Sequence, residues 1–153
     1  MKSTVLIGIL SMTALQFVPG PKRSNPPVVA GRSLFDNAVV PRHIQDVLRR
    51  SCMDCHSNET RWPWYSSVPL VSWLIEHDVS EGRAQLNFST WQEYSTFERA
   101  DLLDKVCEKA TKREMPLWQY RLLHRESRLN TPDVVALCTW SRREAARLVA
   151  AGP

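Results

Sequence analysis

From residue 41 onward, apolar side chains recur with helical rather than strand spacing. Ile44, Val47, Leu48, Cys52 and Cys55 stand at offsets 0, 3, 4, 8 and 11, which at 3.6 residues per turn is one helix face. Pro41 suits a first turn, so the spacing predicts a helix over residues 41–55 whose buried stripe continues through both sulfurs. A second helix is predicted over about residues 69–86, with Leu70, Leu74 and His77 on its apolar side. A third covers about residues 95–113: Ser95 and Glu98 form a capping box, and Phe97, Ala100, Leu103, Val106, Cys107 and Ala110 make the buried stripe. The fourth opens at Thr131-Pro132-Asp133, a cap, a first-turn proline and an acid at the positive end of the helix. Its inner face is Val134, Leu137, Cys138, Ala145, Leu148 and Val149. Between the last two, EMPLWQYRLLHRESRLN reads as a partly extended loop. No segment alternates as a strand does, so the expected fold is all-α with about four helices.

The start of the chain has a different pattern. Met1-Lys2 precedes 16 residues without charge, 3–18, as in a secretory signal or signal-anchor. The run is short of the roughly 20 residues of a comfortable membrane helix, yet no small-residue cleavage site follows it. Signal peptide and uncleaved anchor both stay open for residues 1–18, and both place the remainder outside the cytoplasm, in the periplasm or its equivalent. Residues 19–40 hold Pro19, Pro21, Pro26, Pro27, Gly20 and Gly31 without periodicity and read as a Pro-rich tether. The folded domain is then expected over 41–150.

Composition changes this picture little. The 153 residues are enough for one domain, and 24% charged residues is ordinary for a globular chain. The formal charge of +4 has as its densest clusters Lys112-Arg113 and Arg142-Arg143, too short for a nucleic-acid surface. An acidic partner protein is compatible with that sign but not specified by it.

Candidate chemistry concentrates in CMDCH, residues 52–56. Structural zinc takes four ligands, and the other cysteines, Cys107 and Cys138, are isolated from this pair and 31 residues apart. A dithiol redox pair belongs in a strand–helix βαβ setting, for which there is no sign. Haem c fits each part: two thiols add across the porphyrin vinyl groups, and the adjacent His56 reaches iron. Export and a helical class suit it as well.

The stretches CMDCHSNETRWPWYS, SW, EHDVSEGRAQLNFSTW and EMPLWQYRLLHRESRLN also resemble the bacterial haem-binding domain family, small exported monohaem c-type cytochrome-like proteins. The resemblance runs from Asn25-Pro26-Pro27 to Trp140. It implies a cytochrome c-like helical fold around one covalently attached haem. Two departures stand out. Lys112-Arg113 replaces a glycine-containing approach to Glu-Met-Pro, and cysteines occupy 107 and 138 where apolar residues are commoner.

His56 is then the proximal iron ligand, its second ring nitrogen donating to a carbonyl expected from the loop 62–69. For the distal position Met115, a soft thioether in a loop, is preferred; His77 is the alternative, with His124 or an open site behind it. His43 is expected to be exposed. Trp62, Trp64, Tyr65, Trp73 and Phe88 supply aromatic surface for a flat macrocycle or for an ordinary core. Arg61 and Arg83 are candidates for the propionates, or for surface ion pairs. The indoles and Tyr65 are further propionate donors. Cys107 and Cys138 either pair in an oxidising compartment or remain buried thiols.

The functional expectation is an electron carrier or relay with His/Met-ligated iron and no catalytic residue. The alternatives are a haem sensor or peroxidase-like enzyme with an open distal site, assisted by His77 or Glu76, and an accessory haem subunit of a membrane complex.

Overall fold

Every regular element in the described residues is helical. A computed structural model describes residues 20–21 and 23–152; the apolar run at 3–18 lies outside them. Seven α-helices follow in order: α1 Leu34–Asn37, α2 Arg42–Ser51, α3 Met53–His56, α4 Val71–Gln85, α5 Thr96–Thr111, α6 Trp118–Leu123 and α7 Thr131–Ala151. Three 3-10 turns, Trp64–Ser67, Phe88–Glu93 and Arg125–Ser127, join them. Among the described residues no helix is long and apolar enough to cross a membrane.

The four expected helices are present as α2–α3, α4, α5 and α7. The first differs in two respects, the first being a break at Cys52 (φ −128°, ψ −41°). Pro41 is an extended N-cap rather than a first-turn residue, and its carbonyl accepts from the Ile44 and Gln45 amides. Ile44, Val47 and Leu48 are buried as the spacing predicts. The break turns Met53 into the core while Cys52, Cys55 and His56 line a cavity. The capping box of α5 forms between Ser95 and Glu98. In α7 the cap is Asn130, paired with Asp133, one residue before the expected Thr131.

The core lies between α5 and α7, closed by α1, α2 and the turn carrying Phe88 and Trp91. Leu103 and Leu137 are fully enclosed, and Trp140 donates its indole N–H to Val39 O at 3.1 Å. Phe97 and Val149, expected on inner faces, are exposed. Phe97 sits about 100° around α5 from the centre of the Ala100–Leu103–Cys107–Ala110 stripe, outside the contact width of a helix face.

Residues 33–40 do not behave as a tether. Ser33 and Asp36 form a capping box for α1, and Leu34 and Val40 enter the core. The extended stretch before them is fastened to the residues after CMDCH: Asn25 Nδ2 donates to Thr60 O at 2.9 Å, and Asn58 Nδ2 to Pro27 O at 3.1 Å. The loop after α5 holds a further helix, α6, which the sequence pattern does not predict.

Two contacts fix the helices relative to one another. Cys107 and Cys138 form a disulfide joining α5 to α7, which decides between the two alternatives open for them. Gly82 brings α4 against the backbone of the CMDCH helix: a Cβ there would lie 2.6 Å from Cys55 O and 3.1 Å from Cys55 Cβ. A backbone oxygen has nowhere to retreat without moving α3 or α4. Gly82→Ala should therefore destabilise the domain by about 1–3 kcal/mol, the range for overpacking, as a lowered denaturation midpoint. Replacing Cys107 and Cys138 by alanine releases a 31-residue loop closure; loss of about 3–4 kcal/mol in denaturant unfolding is expected from the chain-entropy relation.

Candidate functional site

The cavity beside α3 has a volume of about 330 Å³, within the roughly 300–1,000 Å³ typical of small-molecule and cofactor sites. Its floor is Cys52, Cys55 and His56. Val71, Leu74, Ile75, Val79 and Gly82 of α4 form one wall, and Met115, Pro116, Leu117, Tyr120 and Leu123 another. Residues 59 positions apart in sequence, His56 and Met115, thus border the same apolar space.

The imidazole is held from behind. His56 Nδ1 donates to Leu86 O at 3.0 Å, so the neutral ring presents Nε2 with its lone pair free. The carbonyl comes from the C-cap of α4, not from the loop 62–69. Burial pushes the His56 pKa below its ordinary value, which favours the neutral, ligating form. Phe88 meets the ring edge-on with centroids 6.4 Å apart, from within the core. The Cys52 and Cys55 thiols, unpaired with one another, are both pushed up to about 12, chiefly by burial. Such thiols are not the low-pKa pair of a dithiol redox site. Among the described residues no three His, Cys, Asp or Glu side chains cluster as a metal site of their own.

Asp54, between the two cysteines, is buried and fully engaged. Its carboxylate accepts from the Arg61 amide at 3.2 Å, from Arg61 Nε at 3.1 Å and Nη2 at 3.2 Å, and from the Tyr120 hydroxyl at 2.6 Å. This ties α3, the following loop and α6 together at the cavity edge. Burial and the Asp54 hydrogen bond raise the Tyr120 pKa.

The other predicted residues separate into two groups. Tyr65 and Arg61 border the cavity, though Arg61 spends two of its guanidinium nitrogens on Asp54 and Tyr65 donates to His124. Trp62 keeps a buried indole N–H without an acceptor among the described residues. Arg83 is not on the cavity wall; it braces Ser57 O, Thr60 Oγ1 and Asn25 Oδ1. Trp64 and Trp73 are exposed. His77 is also exposed and absent from the wall. The face of α4 that meets the cavity is Val71, Leu74, Ile75, Asp78, Val79 and Gly82, rotated away from the Leu70–His77 line. His43 is exposed, as expected. His124 does line the cavity, but both its nitrogens are occupied, Nε2 by Tyr65 and Nδ1 by Glu126.

Sequence reasoning missed Gly82, Asp54, Tyr120 and the Leu86 carbonyl. Only Gly82 carries a signal, being a glycine inside a helical pattern, which marks a close approach.

Met115 hangs from the end of α5, its amide donating to Lys109 O at 3.3 Å. The preceding Arg113 has φ +58°, the left-handed conformation that favours glycine. This is where the chain departs from the glycine-containing approach expected there.

Two thiols, one imidazole nitrogen with its tautomer set from behind, and one thioether around an apolar cavity fit a porphyrin and its iron. Trp62, between Arg61 and Pro63, is not itself on the cavity wall. No curated protein and no solved structure matches the chain. The model of the family described as haem-binding domain matches residues 10–143, and with nearly the whole chain covered, this protein belongs to the haem-binding domain family.

Proposed function

We propose that this haem-binding protein is an exported, monohaem c-type electron carrier or relay, with haem c attached through Cys52 and Cys55 and iron ligated by His56 and Met115. The observation that carries the reading is the convergence of these four side chains on one apolar cavity. The haem supplies one-electron chemistry at its iron; the chain supplies binding, orientation and exclusion of water. Leu86 O holds His56 in the tautomer that offers Nε2. The α4 wall and Pro116, Leu117 and Leu123 keep the surroundings apolar, and a neutral thioether in such surroundings favours ferrous iron. His77 lies exposed on the outer side of α4, away from the cavity that Met115 borders, which supports Met115 as the ligand. His77 and Glu76 are both absent from the cavity wall, which removes the proton-transfer groups expected of the sensor or peroxidase-like alternative. The reading assigns no catalytic residue.

The Cys107–Cys138 disulfide supports export, since such bonds persist in oxidising compartments. Residues 3–18 are then the export signal or the anchor to the inner membrane, and the electron donor or acceptor is a partner protein.

Spectra test the ligation. Wild type should show a methionine–iron charge-transfer band in the near infrared, lost in Met115→Ala with haem still bound; an unchanged spectrum would remove Met115 from the iron. In parallel, haem should stay with the denatured wild-type polypeptide and dissociate from a Cys52→Ala/Cys55→Ala double variant.

A further inference from the structure

A second concavity, a groove of about 650 Å³, lies beyond Met115 and Pro116, and both residues line it as well as the cavity. Arg113, Arg121 and Arg128 border the groove, and no aspartate or glutamate does. The acidic residues next to it in sequence are each turned to another partner. Glu114 pairs with Lys109, Glu126 with His124, and Asp133 with Arg50 at 2.7 Å. Among the described residues no carboxylate pairs with any of the three guanidinium groups. Arg128 Nε donates to Arg121 O at 3.1 Å, which fixes its side chain against α6 and leaves its outer nitrogens free to bind.

Arg113 is the telling member. Its φ of +58° is disfavoured for any residue with a Cβ, and glycine, expected there from the family resemblance, would relieve it. The chain instead keeps the strain and presents an exposed guanidinium to the groove; strain retained in this way is a mark of a functional position. The groove is not uniformly polar. Trp118 and Leu122, one turn apart on α6 and hence neighbours on its surface, are 67% and 59% exposed and line it together with Arg121. Exposed tryptophan and leucine beside arginine is the composition of a protein interface. A bilayer surface or a phosphate backbone would meet the charges but leave the apolar part of a concave groove unfilled.

We propose that this groove docks a segment of a partner protein in which carboxylates are interleaved with apolar side chains. Arg113, Arg121 and Arg128 take the carboxylates, each planar guanidinium matching the two oxygens of one carboxylate. Trp118 and Leu122 take the apolar side chains. Because Met115 and Pro116 belong to both walls, the docked segment lies against the side chains that border the cavity. That the partner is the electron donor or acceptor rests on the electron-carrier reading; capture of the acidic segment does not.

Fluorescence anisotropy of a dye-labelled peptide of Glu-Glu-Leu repeats, titrated with the full chain with and without haem, tests the site. Wild type should bind the peptide at low ionic strength and more weakly as salt is added. Arg113→Gly should weaken binding about tenfold, the order of one lost hydrogen bond to a charged group. Its denaturation midpoint should equal or exceed that of wild type, because glycine relieves the backbone. Arg128→Glu should weaken binding further, by reversing a charge. Lys112→Ala removes an adjacent cation that pairs with Glu108 outside the groove and should leave binding unchanged. Binding indifferent to Arg113→Gly and Arg128→Glu, or weakened as much by Lys112→Ala, overturns the proposal. So does Arg113-dependent binding of inorganic phosphate or of phosphatidylglycerol vesicles by a chain that does not bind the peptide, which would make the groove a phosphate site. A chain that takes up no haem yet binds the peptide through Arg113 would refute the proposed function and uphold the groove.

Discussion

The hydrogen bond from His56 to Leu86 O is the constraint on which the site depends. It couples the last residue of CMDCH to the residue that ends α4, so the imidazole can be correctly aimed only if α4 has the right position and length. Gly82, one turn earlier, sets that position by letting the helix rest on the Cys55 backbone. The Leu86 amide in turn donates to Gly82 O, so the residue that seats the helix also holds its final turn. Orientation of the His56 imidazole and close packing of two helices are therefore one feature of the structure.

Polar groups buried around this joint are satisfied by partners distant in sequence. Asn58 accepts from Asn87 at 2.8 Å and its amide donates to Ser89 Oγ at 2.9 Å. Arg83 spans residues 25, 57 and 60. An unpaired buried amide or carbonyl costs about 1–3 kcal/mol, so each of these links makes the stretch after the cysteines, the end of α4 and the extended N-terminal strap mutually dependent. The strap is integral for this reason, although its composition is that of a linker.

What was legible in the sequence is what short-range periodicity encodes. Ile44, Val47 and Leu48, the Ser95–Glu98 box, and Cys107 and Cys138 on facing stripes each follow from spacing within one helix. The break at Cys52 does not, because it is imposed by Met53 finding the core, a tertiary effect that overrides a continuous stripe. His77 fails for a related reason. A line through Leu70, Leu74 and His77 is as regular as the true cavity face, and only the neighbour of α4 distinguishes them. Leu34 is illegible among prolines because its burial depends on the turn at Phe88–Glu93, some fifty residues later. Carbonyl roles, such as that of Leu86, leave no trace in side-chain identity.

The two sides of the cavity are built with different stiffness. The side carrying His56 is helix against helix, with a glycine contact, an imidazole held by Leu86 O and a fully engaged aspartate. The side carrying Met115 is a turn leaving α5 through a left-handed arginine, and Met115 is 36% exposed. Deep burial and multiple hydrogen bonds raise the free energy of local opening, whereas an exposed turn held by few bonds opens at low cost. The polar chain through Tyr65, His124 and Glu126 stands at the boundary between them, anchored through Tyr120 and Asp54 to the rigid side and through Glu126 to solvent.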